Sequence, residues 1–240
     1  MTKIIALVLA AGKGTRMGAT VPKQFLNILE EPMVIRSVKA FLTFSHKVIV
    51  VTGEEDLETV RNLLSEFVPE ESAEISVVAG GKERYESSYN GLCAVKAWLS
   101  ENGMSDGMVL IHDAARCLVS EAVIRGCIDG CLTHGSAVAA VPVKDTIKVA
   151  EEGVVKDTPA RNTLFAVQTP QTFFLSDIMA AYEKAKASGT VSRVTDDAMV
   201  METYSDKTVY LSAGSDENIK VTTQTDIRIA EEILRNRVEK

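Results

Sequence analysis

The sequence predicts an α/β fold, in which a Rossmann-like, doubly wound and mostly parallel sheet carries a protruding β-hairpin arm. Apolar segments of strand length alternate with helical patterns over the first 141 residues. Such βαβα alternation is typical of a parallel sheet covered by helices on both faces. After Pro142 the pattern changes to two short stretches of alternating polarity around a glycine-containing turn, which predicts a hairpin.

The composition agrees with one large globular unit. The chain has 240 residues, of which 46% are apolar and 25% are charged, so it can bury a core and is not of the disordered class. We therefore expect a single domain over residues 1–240. The net charge is −7, from 33 acidic and 26 basic residues, whereas proteins that bind duplex nucleic acid normally carry a basic face or excess. A small polyanion could still bind if the cations gather in one cleft.

Three features favour a cytoplasmic protein with no membrane partner. No apolar segment is long enough to span a bilayer. The apolar run 4–11 after Lys3 is shorter than a secretory signal, and basic residues follow it at once, so we expect a strand there. The four cysteines form no C-x-x-C pair, and Cys127 and Cys131 are predicted to pack in the core, as suits a reducing compartment.

Apolar segments rich in β-branched residues predict the strands. The first strand ends in small residues and glycines, the third ends at Gly80, and the fourth ends at Asp113. Their lengths are those usual for strands. The predicted strands cover residues 4–10, 47–52, 75–79, 108–112, 137–141 and 208–212.

Helical spacing of apolar residues predicts the segments between these strands. Pro32 stands near the start of the first helix, where its missing N–H breaks no helical hydrogen bond, and Val34, Val38 and Phe41 lie on one helical face. Ser120 is a candidate N-cap for a later helix. The other predicted helices cover residues 54–67, 83–102, 175–188, 196–203 and 225–238.

The hairpin is predicted from residues 143–149 and 154–158, joined by a turn at residues 151–153. An isolated hairpin is only marginally stable in water. It therefore packs either on a second subunit or on its own domain, and the sequence leaves both open.

The polar and glycine-rich loops of the predicted sheet follow its strands. Residues 12–16 come after the first strand, residues 80–84 after the third, and residues 113–116 after the fourth. In open α/β sheets, ligands bind outside the carboxyl ends of the strands. The sequence therefore predicts a binding site at that edge.

The first of these loops has the composition of an anion-binding cradle. Gly12 and Gly14 permit positive φ, and the small residues around them let backbone N–H groups approach a ligand closely. Arg16 and Lys23 follow, and such fixed cations neutralise phosphate charge. Met17 stands where the dinucleotide-binding fingerprint needs its third glycine, and the P-loop spacing fails as well. A plain βα turn is the alternative.

Two aspartates are candidates for binding a metal ion. Asp113 follows a predicted strand, and Asp216 precedes the Asn-Ile-Lys-Val stretch at 218–221. Mg²⁺ takes one or two carboxylates, and substrate phosphates and water complete its octahedron. A helix cap or a turn is the alternative role for an aspartate after a strand.

The basic residues of these loops predict a positively lined cleft, although solvated surface is the usual place for such side chains. The basic residues are Lys13, Arg16, Lys23, Arg84, Arg116 and Lys220.

His112 is predicted to be a buried, hydrogen-bonded histidine rather than a catalytic base.

Taken together, the motifs resemble those of the polyol-phosphate cytidylyltransferases, a branch of the sugar- and polyol-phosphate nucleotidyltransferases. The resemblance covers nearly the whole chain, and the motifs stand in the family's order. They are Leu-Ala-Ala-Gly-x-Gly-x-Arg-Met at 9–17 with Pro-Lys-Gln at 22–24, Gly-Gly-x-x-Arg-x-x-Ser at 80–87, His-Asp-Ala-Ala-Arg at 112–116, Val-Pro-Val-Lys-Asp-Thr at 141–146, Arg161 with Gln-Thr-Pro-Gln at 168–171, Thr-Asp-Asp-Ala at 195–198, and Asn-Ile-Lys-Val-Thr at 218–222.

The resemblance implies transfer of CMP from CTP to a polyol phosphate, with release of pyrophosphate and Mg²⁺ as cofactor. It also implies a homodimer formed through an arm at residues 143–166. The residues implied as catalytic are Arg16, Lys23, Arg161 and Lys220, with Arg161 acting in the neighbouring subunit's site. Those implied for CTP are Ala10, Ala11, Gly12, Gly14, Gly81 and Ser87, those for the polyol phosphate are Ala114, Arg116, Thr146, Thr169 and Thr195, and those for the metal are Asp113 and Asp216.

Within this family, the motifs favour the branch that uses 2-C-methyl-D-erythritol 4-phosphate, on the non-mevalonate route to isoprenoid precursors. The ribitol 5-phosphate branch is the alternative. A dinucleotide-binding oxidoreductase and a non-catalytic nucleotide-binding regulator are further alternatives from other classes. Lys82 departs from the pattern, because some relatives carry an acidic residue there near the cytosine, and this leaves the reading of the base open.

Overall fold

The computed structural model describes residues 2–12, 22–71, 74–190 and 193–238. Its strands are β1 (Ile4–Leu9), β2 (Asn27–Ile28), β3 (Glu31–Pro32), β4 (Lys47–Thr52), β5 (Ile75–Ala79), β6 (Met108–Asp113), β7 (Ser136–Pro142), β8 (Val149–Glu151), β9 (Val154–Asp157), β10 (Phe165–Phe174) and β11 (Leu211–Ala213). Its helices are α1 (Met33–Leu42), α2 (Leu57–Phe67), α3 (Arg84–Glu101), α4 (Glu121–His134), α5 (Leu175–Ser188), α6 (Asp197–Tyr204) and α7 (Gln224–Val238).

Seven strands form the central sheet, in the order β11-β7-β10-β6-β1-β4-β5. The pairs β11–β7, β6–β1, β1–β4 and β4–β5 are parallel, and β10 is antiparallel to both of its neighbours. The predicted α/β fold with a mostly parallel sheet is therefore confirmed.

Helices cover both faces of this sheet, because its strands are apolar on both sides. Ala6 and Val8 of β1 belong to a core formed with α1, α2 and α4, whereas Ile5 and Leu7 belong to a second core formed with α3, α5 and α6. This division follows from the two-residue period of a strand, whose successive side chains point to opposite faces. A third, smaller core joins β2 to α7.

Strand β10 is the main element that the sequence did not predict. It pairs with β6 and β7 near the middle of the sheet, although it contains Pro170 and the polar residues Gln168, Thr169 and Gln171. Proline cannot donate to a ladder and is usually confined to edges or bulges. The register of β10 against β7 shifts between Val167 and Gln171, so the proline lies at an irregularity of the ladder.

Other predicted elements are right in kind and shifted at their ends. The prediction of a strand at 208–212 was wrong in its bounds, since β11 is Leu211–Ala213. The predicted helix at 54–67 divides into a 3-10 turn at Glu54–Asp56 and helix α2. The short pair β2–β3 was not predicted, because two-residue strands have no periodicity that could reveal them.

The predicted hairpin is present as β8 and β9. The bounds predicted for its first strand, 143–149, were wrong, because only Val149 of that range belongs to β8. The predicted turn at 151–153 was one residue too long, since Glu151 belongs to β8 and the turn is formed by Glu152 and Gly153. Both turn residues have positive φ, 51° and 79°, as the tight turns that match strand twist require. All residues of the two strands are exposed, including Val149, Val154 and Val155.

The prediction that Cys127 and Cys131 pack in the core is confirmed, and all four cysteines are free thiols. Cys127 and Cys131 are fully buried in the core under α4, and Cys117 is buried in the third core. Burial raises the pKa of the Cys127 thiol to about 11, so this side chain stays a neutral apolar packing group. Within the described residues, no helix is both long and apolar enough to cross a membrane.

Replacing Gly91 by alanine is predicted to destabilise the protein, because α3 lies very close to the sheet at this residue. An added Cβ would lie 2.4 Å from Leu7 Cδ1 and 2.8 Å from Val51 Cγ2. Overpacking of this kind costs about 1–3 kcal/mol, while alanine in an open helical position would stabilise by up to about 1 kcal/mol relative to glycine. Urea unfolding of Gly91→Ala measures the balance, and a variant more stable than the wild type would contradict this packing.

Candidate active site

A cavity of about 600 Å³ opens at the carboxyl ends of β1 and β6. The register of these two strands places Leu9 opposite Asp113, so the loops that follow them share one edge of the sheet. The cavity brings together many of the residues predicted for the site. Those that line it are Ala10, Ala11, Gly12, Lys23, Gly81, Ser87, Asp113, Ala114 and Lys220. Gly14 and Arg16 lie outside the described residues.

A second cavity of about 220 Å³ contains residues predicted for the polyol phosphate. Its lining includes Arg116, Thr169 and Thr195. Arg84, Asp113 and Lys220 line both cavities. The described residues predicted for CTP line the larger cavity, and three of those predicted for the polyol phosphate line the smaller one, whereas Ala114, also predicted for the polyol phosphate, lines the larger cavity. The two linings share a group of charged side chains.

Asp113 is held by two cations and by a backbone contact. Its Oδ2 lies 2.6 Å from Lys220 Nζ, and its Oδ1 lies 3.4 Å from Arg84 Nη2. Its backbone N–H donates to Thr169 Oγ1 at 3.1 Å, which ties β6 to β10. Burial alone would raise the pKa of Asp113, but Arg84 and Lys220 outweigh this and hold it well below its usual range. The carboxyl group is therefore ionised at neutral pH.

Arg84 also contacts a second carboxylate, which the sequence did not indicate as part of the site. Asp197 is fully buried, and its Oδ2 lies 2.7 Å from Arg84 Nη2. Its Oδ1 accepts a hydrogen bond from the hydroxyl of Tyr182 at 2.6 Å. Burial lowers the pKa of Arg84, but the two carboxylates outweigh that effect and raise it. The only sequence signal for Asp197 was its place in the Thr-Asp-Asp-Ala motif, whose first aspartate caps α6.

His112 is buried and hydrogen-bonded, as predicted. Its Nδ1 lies 3.0 Å from Thr169 Oγ1, and its Nε2 lies 3.2 Å from the carbonyl oxygen of Arg116. Burial lowers the pKa of His112 to about 4, so the ring is neutral at neutral pH. Its contacts position Thr169 and the loop that carries Arg116.

The segment before α7 brings Lys220 to the cavity through a buried asparagine. Asn218 is fully buried, and its Nδ2 donates to the carbonyl oxygen of Thr169 at 2.9 Å. Its own carbonyl oxygen accepts from Arg116 Nη1 at 2.7 Å. Beyond Lys220, the carbonyl oxygen of Val221 accepts from Lys23 Nζ at 3.4 Å. The asparagine of the Asn-Ile-Lys-Val-Thr motif is therefore structural, and it fixes the position of the lysine two residues later.

The loop between β5 and α3 forms another wall of the larger cavity. The N–H of Gly81 donates to Ser87 Oγ at 3.1 Å, and Glu86 Oε2 accepts from the N–H groups of Lys82 and Glu83 at 2.7 and 3.0 Å. Only glycine fits at position 81, because a Cβ there would lie 2.2 Å from the Cβ of Glu86. Ser87 and Glu86 thus order the loop that was predicted to hold the nucleotide.

Gln24 is a further residue of the larger cavity, and the sequence gave it no role beyond its place in Pro-Lys-Gln. It is only 3% exposed. Its Oε1 is buried and accepts no hydrogen bond from the described residues. A buried acceptor without a partner is costly, so a donor from outside the described residues would stabilise this oxygen.

Among the predicted residues that the structure describes, three line neither cavity. Asp216 is exposed, and its Oδ2 lies 2.6 Å from Lys144 Nζ. Arg161 Nη1 donates to the carbonyl oxygen of Lys144 at 3.0 Å, and Thr146 is exposed near them. Within the described part of the chain, no three His, Cys, Asp or Glu side chains cluster as metal ligands would. Asp216 therefore lies with Lys144 and Arg161, next to the hairpin, and not with Asp113 in the cavities.

The family model of 2-C-methyl-D-erythritol 4-phosphate cytidylyltransferase matches residues 4–236 of the chain. The chain belongs to this family. The match runs from β1 into α7, so it includes every motif that contributes to the two cavities.

Individual members of the family resemble the chain over nearly its full length. A 2-C-methyl-D-erythritol 4-phosphate cytidylyltransferase of Clostridium botulinum is 40% identical over 237 residues, which is 98% of each chain. That of Alkaliphilus oremlandii is 38% identical over 242 residues and covers 100% of this chain and 98% of its own. The crystal structure of 4-diphosphocytidyl-2C-methyl-D-erythritol synthase from Anaerococcus prevotii is 27% identical, with a TM-score of 0.81 over 98% of this chain and 99% of that one.

Proposed function

We propose that the chain transfers CMP from CTP to 2-C-methyl-D-erythritol 4-phosphate and releases pyrophosphate, in the biosynthesis of isoprenoid precursors. The observation that carries this proposal is the pair of cavities that have Asp113, Arg84 and Lys220 in common. A transferase needs two substrates side by side, and the charges at the junction suit two phosphate groups that must meet there. Membership of the family favours this substrate over ribitol 5-phosphate.

The larger cavity would hold CTP. Ala10, Ala11 and Gly12 offer closely approachable backbone next to the nucleotide, and Gly81 with Ser87 forms the facing loop. Lys23 would stabilise negative charge on the triphosphate, together with Arg16 from outside the described residues. Preorganised cations in a site that excludes water are an effective way to stabilise a phosphoryl-transfer transition state.

The smaller cavity would hold the polyol phosphate, while Ala114, which was also predicted for this substrate, lines the larger cavity. Arg116 and Lys220 would neutralise its phosphate, while Thr169 and Thr195 provide hydroxyl groups. A phosphate oxygen of this substrate forms a bond to the α-phosphorus of CTP, and the bond from that phosphorus to the bridging oxygen of pyrophosphate breaks. No covalent intermediate with the protein is needed, so the chain acts by position and charge.

A divalent cation, Mg²⁺, fits this arrangement through Asp113. One ionised carboxylate in the cavity suffices where the triphosphate and water provide the other oxygen ligands. The cation would neutralise charge that develops on the phosphates. Asp216 would have to leave its ion pair with Lys144 to act as a second ligand. The metal ion would therefore rest mainly on Asp113 and on the nucleotide itself.

Residues 143–166 would form an arm that pairs two subunits, while the whole chain, 1–240, acts as one nucleotidyltransferase domain. Val149, Val154, Val155 and Phe165 expose 45–60% of their surface, which is unusual for apolar side chains unless another surface covers them. Thr146 and Arg161 of this segment line neither cavity of their own chain. They would complete the site of the partner subunit. The thiols without disulfides suit the cytoplasm as the compartment.

The substrate assignment is tested by offering both polyol phosphates with CTP and Mg²⁺ and measuring pyrophosphate release. We expect turnover with 2-C-methyl-D-erythritol 4-phosphate and little with ribitol 5-phosphate. Turnover with ribitol 5-phosphate alone would overturn the assignment. Binding of CTP without turnover of either compound would favour a nucleotide-binding regulator.

Lys23→Ala is predicted to lower turnover by about a hundredfold or more, because loss of one preorganised charge donor costs about 3–4 kcal/mol of transition-state stabilisation. Lys39→Ala is a matched control, since Lys39 pairs with Glu31 on the surface and lines neither cavity. Steady-state kcat is the measurement. An unchanged kcat in Lys23→Ala would remove this lysine from the mechanism.

Activity in trans is predicted for the arm. If Arg161 acts in the partner's site, Arg161→Ala and Lys23→Ala subunits mixed together form hybrid dimers in which one site keeps both residues. We expect the inactive parents to regain part of the wild-type rate on mixing. Subunit exchange is verified separately with two affinity tags. Exchange without any recovery of activity would indicate a site built within one chain.

A further inference from the structure

Arg84 contacts two carboxylates, those of Asp113 and Asp197, at unequal distances. Arg84 Nη2 lies 2.7 Å from Asp197 Oδ2 but 3.4 Å from Asp113 Oδ1. Asp197 is fully buried, and the hydroxyl of Tyr182 donates to its second oxygen at 2.6 Å. A carboxylate with no access to water needs hydrogen-bond donors and a close cation to compensate for its lost hydration. Asp197 therefore holds Arg84 by its shorter contact.

This sharing leaves negative charge on Asp113 at the junction of the cavities. Arg84 carries one positive charge, and the closer carboxylate takes the larger part of its interaction, since Coulomb energy falls with distance. Asp113 retains Lys220 at 2.6 Å as its tighter partner. In the proposed function, Lys220 also faces the polyol phosphate, so it is not committed to Asp113 alone. How firmly Asp197 holds Arg84 thus determines how much negative charge Asp113 presents to a ligand.

We propose that Arg84 is a positioning residue anchored by Asp197, and that this pair sets how strongly the site prefers metal-bound CTP to metal-free CTP. The inference rests on the proposed binding of CTP in the larger cavity. An Asp113 with uncompensated negative charge attracts a divalent cation on the triphosphate and repels the bare triphosphate. When Asp113 is fully paired with Arg84, it attracts the divalent cation less and repels the bare triphosphate less. Neither Arg84 nor Asp197 needs to touch the reacting atoms for this effect.

The proposal makes changes at the two residues act in opposite directions. Arg84→Gln removes a cation from Asp113 and should strengthen the preference for metal-bound CTP. Asp197→Asn removes the competing carboxylate, so Asp113 becomes the remaining carboxylate that Arg84 contacts in the described part of the chain, and the preference should weaken. General damage to the fold would weaken binding in both variants, and it gives no reason for opposite signs.

The experiment measures the dissociation constant of CTP by isothermal titration calorimetry, once with excess Mg²⁺ and once with EDTA. The readout is the ratio of the EDTA constant to the Mg²⁺ constant. We expect Arg84→Gln to raise this ratio by about fivefold and Asp197→Asn to lower it by about the same factor, equivalent to about 1 kcal/mol each. The double variant should behave like Arg84→Gln, because Asp197 acts only through the arginine. Arg125→Gln is the control, since Arg125 pairs with Glu121 on α4 and should leave the ratio unchanged.

Folding of each variant is checked by circular dichroism, because removing one member of a buried ion pair destabilises a protein. If Asp197→Asn does not fold, Arg84→Gln and Arg84→Lys decide: the first must raise the ratio, and the second, which keeps the charge, must leave it close to the wild-type value. Ratios that move in the same direction in both single variants, or that do not move, overturn the proposal. Failure of the wild type to bind CTP at all would instead refute the proposed function.

Discussion

The ion pairs of Asp113 are the contacts on which the rest of the site depends. The parallel register of β1 and β6 places this aspartate opposite Leu9, beside the loop that follows β1. Segments distant in the chain then reach it: Arg84 comes from α3, Lys220 from the segment before α7, and Thr169 from β10. Because this one residue contacts all of them, Arg84 and Lys220 through its carboxylate and Thr169 through its backbone N–H, the relative position of the two cavities follows from the strand order of the sheet.

The polar groups behind this aspartate are buried and hydrogen-bonded to one another. His112 joins Thr169 to the loop of Arg116, and Asn218 joins Thr169 to the segment of Lys220. Buried polar networks of this kind add little net stability, but leaving any member unpaired is costly. They therefore restrict the loops to one arrangement. In a protein that acts by positioning two anionic substrates, such restriction has a direct use.

Much of the fold could be predicted, and the reason lies in its parallel strands. β1 and β4 are buried on both faces, so they appear as continuous apolar runs that local sequence reveals. β10 gave no such signal, because it is polar around Pro170 and takes its place in the sheet from pairing on both sides. The residues of the site likewise fall into those that local sequence reveals and those that depend on contacts between distant segments. Asp113 and the glycine loops follow strands directly, whereas Asp197 matters through a contact with Arg84, 113 residues away. The role of Asp216 as a metal ligand stays a prediction.

Strand β10 connects the hairpin to the smaller cavity. It leaves the hairpin segment at Phe165, which is 45% exposed, and only four residues later it presents Thr169 to the backbone of Asp113. Any surface that covers residues 143–166 thus contacts one end of β10, and the middle of the same strand lines the smaller cavity. Insertions or deletions between Phe165 and Thr169 would shift that cavity relative to whatever the hairpin contacts. The number of residues in this short stretch therefore affects both how the hairpin contacts another surface and how the cavity binds its ligand. We expect insertions and deletions among related chains to occur at the hairpin tip instead.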